Sequence, residues 1–428
     1  VIVYLHIGTP KSGTSYIQDI CSANRERLAA DGVLWPGAEW GDQVHAVRDV
    51  LALHPGGEVT DQATGAWGRF VAEVAAWSGR AVVLSMEWLV HATPEQVRYI
   101  VDSLHPHEVR VVVTARDLSR CVPAQWQEQM QNWATWTWPE YLAAVTADDP
   151  WEQEAGRQFW RDHDLGLIVG TWSSVVSGER VTLVTVPGAG AAPELLWERF
   201  AEVVGLDPTG FDLDVPPANS SLGAASAELM RRVNLAGREH GLTWQAGDPL
   251  LKWVLAKLVL TARRGQEERV ALPAVHHDWV VRESERLVAE VEAVGVAVVG
   301  SFEELRPVLS GDGSEAATTE QLLAAAVDGI AGMAVALTKM SEISVAEAVR
   351  LHFETAEETK RAAESERALA AEAERAEQLA RSVEVSVPHP RRPGVDALTA
   401  GRWAVTRARR ARARLRGHDR TALAATDA

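Results

Sequence analysis

The stretch LHIGTPKSGTSY, residues 5–16, constrains this chain more than any other. A short run rich in β-branched residues ends at Ile7, two glycines turn the chain at Gly8 and Gly13, and helical spacing begins near Thr14. A strand that feeds a helix through such a loop aims backbone N–H groups at the space above the helix start, where an anion is the natural occupant. Lys11 adds a positive charge there, and Ser12, Thr14 and Ser15 add hydroxyl donors. The plain structural alternative is a capped turn at a strand end.

The surrounding pattern predicts what the loop is built on. Runs at 1–7, 81–85, 109–115 and 181–186, with a fifth at 294–299, read as short strands. Between them lie segments of helical spacing, one face marked by Tyr16, Ile17, Ile20, Cys21 and Leu28, another by Leu196, Phe200, Val203 and Val204. Strands separated by helices need crossover connections, so the expectation is an α/β fold with a mostly parallel sheet flanked by helices. It is predicted to span 1–308, followed by a Gly/Ser linker at 309–318. An Ala/Glu/Arg-rich helical extension at 319–385 and an Arg-rich tail at 386–428, expected to be disordered, complete the chain. The apolar run 322–337 carries Asp328 near its centre and reads as a packed helix, so no transmembrane segment is expected.

Charge sharpens this division. The overall −17 averages unlike parts, because 391–428 holds ten Arg against three Asp, a net of +7, and leaves −24 on the residues before it. An acidic body argues against a general nucleic-acid binder, and the basic tail is left as a local site for polyanions or self-association. Cys21 and Cys121 have no metal-ligand spacing and cannot form a disulfide framework, which suits a reducing compartment. Residues 1–7 are too short for a secretory leader, so the expected location is cytoplasmic.

Gly8 and Gly13 have the G-x-x-x-x-G spacing of a Walker loop, yet Thr14 stands where a nucleoside triphosphatase has Lys. The lysine lies inside the loop instead, at position 11. TPKSGTS, residues 9–15, resembles the 5′-phosphosulfate loop of the sulfotransferases that use 3′-phosphoadenylyl sulfate (PAPS), whose pattern is P-K-[ST]-G-T-[ST] after a first strand. The likeness is to the bacterial sulfotransferase-like branch and extends weakly to VGSFEELRP, residues 299–307. It implies a P-loop-type sheet, PAPS as co-substrate and no metal. Lys11 would meet the bridging oxygen between phosphate and sulfuryl group, and Pro10, Ser12, Gly13, Thr14 and Ser15 would hold the 5′-phosphate. Arg116, just past the third run, would bind the 3′-phosphate. The family serine eight residues beyond that Arg is Ala124 here, with Ser119 as a substitute, and pairing of Arg116 with Asp117 is the structural alternative. Arg263-Arg264-Gly265 corresponds to the late R-K-G-type loop, or else is a basic helix end.

Transfer to a hydroxyl or amine needs a base. Glu87 follows the 81–85 run, so Lys11, Glu87 and Arg116 all fall past strand ends on one sheet edge, while His45 is the histidine candidate. Asn219 to Gly223 either touches nucleotide or caps a helix through Ser220 or Ser221. Seven of the 17 Trp lie between Trp126 and Trp172, either packed as core or lining an acceptor pocket. The expected function is a PAPS-dependent sulfotransferase acting on a carbohydrate, lipid or small metabolite. A P-loop kinase or NTPase and a non-catalytic nucleotide-binding scaffold are the alternatives.

Overall fold

Six short strands, β1 (Ile2–Gly8), β2 (Val33–Leu34), β3 (Ala81–Ser85), β4 (Glu108–Ala115), β5 (Val181–Thr185) and β6 (Ala297–Val299), form one sheet in the order β2-β3-β1-β4-β5-β6. Every pairing is parallel. The computed structural model describes residues 1–53, 61–188, 190–215, 221–309, 316–340 and 375. Five strands fall where the β-branched runs place them. The two-residue edge strand β2 is too short to carry a pattern.

The strands alternate between two apolar layers, as a period of two requires when helices cover both faces. Val3, Leu5 and Ile7 of β1 join Val82, Leu84, Val111 and Val113 on one face. Tyr4, Val83, Val112 and Val184 face the other, under Ile17 and Ile20 of helix Thr14–Ala23 and Trp197 and Phe200 of helix Leu195–Val204. The expected helix faces are therefore the buried ones, except that the first helix ends at Asn24 and Leu28 belongs to Arg25–Ala30. Cys21 and Cys121 are free and buried.

From β1 the chain leaves toward β2, and from β4 it leaves toward β5, so the connections diverge between these adjacent strands. Such a switch point opens a crevice at the carboxyl ends of a parallel sheet. His6 closes the floor beneath it. Its Nδ1 lies 2.8 Å from Ser85 Oγ on β3, and its Nε2 lies 3.1 Å from Thr114 Oγ1 on β4. Burial drives the imidazole pKa down to about 3, so the ring is neutral.

Two units divide the chain at Ala336/Leu337. Of the second, only 337–340 and 375 are described, so the Ala/Glu/Arg-rich extension beyond Met340, apart from Arg375, and the Arg-rich tail lie outside the described residues. Helix Thr319–Met340 starts where the extension was expected, but its stretch to Ala336 belongs to the first unit. Leu322 and Ala325 are buried, and Gly329 and Gly332 let the helix lie against Leu255 and Val259. The expectation of a packed helix holds for this face alone. Leu323, Val327 and Ile330 are exposed, and by length and composition the helix could cross a membrane.

His6 makes folding acid-sensitive. An unfolded His takes up a proton near pH 6.5 while the buried ring does not, so stability present at pH 7 is lost as pH falls below about 6.5. Between pH 7 and 5 the loss for this one group is about 2 kcal/mol. His163, held at about 4 chiefly by burial, adds a loss of the same sign. Urea titrations of wild type and His6→Gln across this range are expected to show a shallower pH dependence in the variant.

Candidate functional site

The loop after β1 holds three residues in the left-handed region, Gly8 at φ 84°, Lys11 at φ 62° and Gly13 at φ 84°. A lysine there costs on the order of 1–3 kcal/mol, a strain that persists only where surrounding contacts impose it. Those contacts are visible. Thr9 N–H donates to Thr114 O at 2.6 Å, tying the loop to the end of β4. Ser12 Oγ donates to Thr9 O at 2.5 Å and lies 2.6 Å from Thr114 Oγ1. Donor accounting then orders the hydroxyls: Ser85 O–H donates to His6 Nδ1, His6 Nε2–H to Thr114, and Thr114 O–H to Ser12. The Ser12 hydroxyl is thus committed inside the loop, and only its backbone N–H is left for a ligand. Gly13 begins helix Thr14–Ala23 without a capping side chain, so the first-turn N–H groups face the crevice. Thr14 is buried, while Pro10 and Ser15 are half-buried.

Glu87 starts the turn after β3. A Cβ on Gly8 would stand 2.7 Å from Glu87 Cβ, so the glycine is what lets loop and carboxylate approach. Gln18 Nε2 donates to Glu87 Oε2 at 3.2 Å. Burial pushes the Glu87 carboxyl above the usual range, with Glu128 adding to this and the Gln18 bond and Lys11 opposing it. His45 is placed elsewhere, in a pocket of about 220 Å³ with Gly37, Arg69, Phe70 and Glu73, none of them a loop residue.

Past β4, Arg116 reaches back over the loop, its Nη1 3.5 Å from Lys11 O. Its Nε is buried with no hydrogen-bond partner, and the guanidinium makes no ion pair among the described residues. Asp117 is instead occupied as the N-cap of helix Leu118–Gln131, accepting from Arg120 N at 3.0 Å, pairing with the Arg120 guanidinium and accepting the Ser119 hydroxyl. Ser119 is therefore a capping partner in this arrangement. Arg263 is likewise tied down, by Glu267 at 2.9 Å and by Asp328. Gly265 is exposed, and the Arg264 side chain lies outside the description. Asn219 and Ser220 lie outside the described residues; Gly223, not Ser221, is the N-cap of helix Ala224–Glu239. The Glu267 carboxylate accepts the Ser226 N–H at 2.9 Å in place of a capping side chain.

Sequence reasoning missed Glu128. Its carboxylate accepts from Lys11 Nζ at 2.7 Å and is the only ion-pair partner of that lysine among the described residues. Despite burial, Lys11 and Lys257 hold its pKa down at about 2. It lies one helical turn beyond Ala124, on a helix already singled out. Trp126, Trp133, Trp160 and Trp172 are core, and Trp136 and Trp138 pack against it. Trp151, 41% exposed, lines a cavity of about 370 Å³ with Trp160 and Trp279, remote in lining from the loop.

The fold and this edge define an α/β protein with a parallel sheet flanked by helices, its loop, Glu87 and Arg116 gathered at the switch point. No protein-family model and no curated protein matches the chain. Among solved structures, a sulfotransferase from Alicyclobacillus acidocaldarius is similar at 14% identity and a TM-score of 0.33, over 57% of this chain and 93% of that one. The likeness is distant.

Gly8→Ala should lower stability by about 2 kcal/mol through positive φ and the clash with Glu87. Gly41→Ala, helical and with open space at its Cβ, should instead be neutral or stabilising by up to ~1 kcal/mol. Urea denaturation of the pair checks both.

Proposed function

We propose that this protein is a sulfotransferase that moves the sulfuryl group of PAPS to a hydroxyl or amine of a carbohydrate, lipid or small metabolite. The observation that carries the reading is the pairing of an in-loop lysine with a half-buried arginine at one switch point, whose Nε is buried without a hydrogen-bond partner and which makes no ion pair among the described residues. A buried Nε–H without a partner is costly unless an acceptor arrives, and a phosphate is suited to the planar guanidinium fork. A nucleotide with phosphates at both 3′ and 5′ positions spans such a pair of sites. The resemblance of residues 9–15 to the 5′-phosphosulfate loop points the same way.

In the chemical step Glu87 removes the proton from the acceptor oxygen or nitrogen, which forms a bond to sulfur as the bond from sulfur to the bridging oxygen breaks. The electron pair stays on that oxygen, and Lys11 stabilises the charge developing there. A raised carboxyl suits a base working near neutral pH. Backbone N–H groups of the loop and first helical turn hold the 5′-phosphate. Arg120, with Nη1 3.2 Å from Pro187 O, adds positive charge near the 3′ end. This scheme asks for no metal. We further propose that the protein works in a reducing, cytoplasmic setting, which its two buried free thiols suit.

Two measurements test this. Adenosine 3′,5′-bisphosphate at about 100 times its Kd should stabilise the protein by about 2.7 kcal/mol, and Lys11→Ala or Arg116→Ala should weaken that response. A larger shift with Mg-ATP than with the bisphosphate overturns the reading. In an acceptor screen with radiolabelled PAPS, kcat/KM should rise with pH as Glu87 ionises, at a pH above the ordinary glutamate range. Glu87→Gln should remove that limb and reduce turnover about 100-fold or more.

A further inference from the structure

Two lysines beside the loop take no part in holding the donor. Residues Pro249–Val259 wind as a π-helix, a form that is rare and concentrated at functional sites. At 3.6 residues per turn, Lys252 and Lys257 would point about 140° apart. Bonding of i to i+5 instead brings residues five apart close to one face. Here both reach the far end of helix Leu118–Gln131. Lys252 Nζ donates to Asn132 Oδ1 at 2.7 Å, and Asn132 Nδ2 donates to Glu128 Oε1 at 3.4 Å. Lys257 Nζ lies 4.0 Å from Glu128 Oε2, the oxygen that also takes Lys11.

Three ammonium groups therefore act on the one Glu128 carboxylate. Burial lowers the Lys257 pKa despite Glu128, and Lys11 and Lys252 add repulsion, so further negative charge would be favourable there. Direction separates these lysines from the donor. Helix Leu118–Gln131 starts beside Arg116 and carries Asn132 about 20 Å away at 1.5 Å per residue. A nucleotide spanning Arg116 and the loop ends its sulfuryl group at Lys11, and Lys257 and Lys252 continue past it. An acidic body repels anions, so an anionic acceptor needs such a local positive site to enter.

We propose that Lys252 and Lys257 form an anion subsite for the acceptor. The protein would then prefer acceptors bearing a carboxylate, phosphate or sulfate close to the accepting group. This subsite rests on the donor assignment above for its role, though its binding can be read without the donor.

The test is calorimetric titration of two matched probes, 4-nitrophenyl β-D-glucuronide against 4-nitrophenyl β-D-glucoside, with and without saturating adenosine 3′,5′-bisphosphate. The glucuronide is expected to bind at least tenfold tighter, and Lys252→Gln/Lys257→Gln should abolish that difference while still responding to the bisphosphate. Lys252→Arg/Lys257→Arg should keep it, which guards against a folding defect in the Gln variant. Equal binding of both probes, binding of neither, or a preference that survives the Gln variant overturns the subsite. A wild type that responds to the bisphosphate but ignores probe charge sinks this inference alone. One that discriminates the probes but ignores the bisphosphate sinks the donor assignment instead.

Discussion

His6 lies where the ends of β3, β1 and β4 meet, and its neutral ring is what joins them into one platform. A backbone ladder binds strands side by side, yet it cannot dictate how a loop leaves them. The hydroxyl chain from Ser85 through His6, Thr114 and Ser12 to Thr9 O does so, because each member has one donor to give and one acceptor to fill. Buried networks of this kind are stabilising only when every member is satisfied. A protonated ring would have two donors and break the direction of the chain. The low imidazole pKa is thus the electrostatic form of the same constraint that shapes the loop.

With its base fixed, the loop can tolerate Lys11 at positive φ, and that conformation decides where the lysine goes. Its ammonium meets Glu128, and its carbonyl faces Arg116. Gly8 removes the one side chain that would hold Glu87 away. Three charged groups from three strand ends are brought together by backbone choices at two positions, Gly8 and Lys11.

Much of this was legible in the sequence, for identifiable reasons. Parallel strands buried on both faces read as β-branched runs, so five of six strands could be placed, and with them Lys11, Glu87 and Arg116 on one edge. What the sequence hid depends on pairing across space. Nothing local shows that the Ser12 hydroxyl turns inward, that Ser119 serves Asp117, or that Arg263 is held by Glu267 and Asp328. The π winding of 249–259 is hidden for a different reason. A pattern read at 3.6 residues per turn puts Lys252 and Lys257 on different faces, so their convergence emerges only from the backbone. Glu128 was hidden because a solvated acid on a helix and one held by lysines look alike in sequence.

Glu128 also changes how the site's charge should be understood. A lysine waiting in a crevice of an acidic protein would be drawn to many carboxylates, and among the described residues this one is matched to a single partner that other lysines keep ionised. Because Glu128 is held at a pKa of about 2, its carboxylate stays ionised across the whole physiological pH range, unlike Glu87, whose raised pKa leaves it free to exchange a proton. Two carboxyls coupled to the same lysine are thereby driven in opposite directions by their surroundings. That separation leaves one as a fixed counter-charge and fits the other to the base role proposed for it.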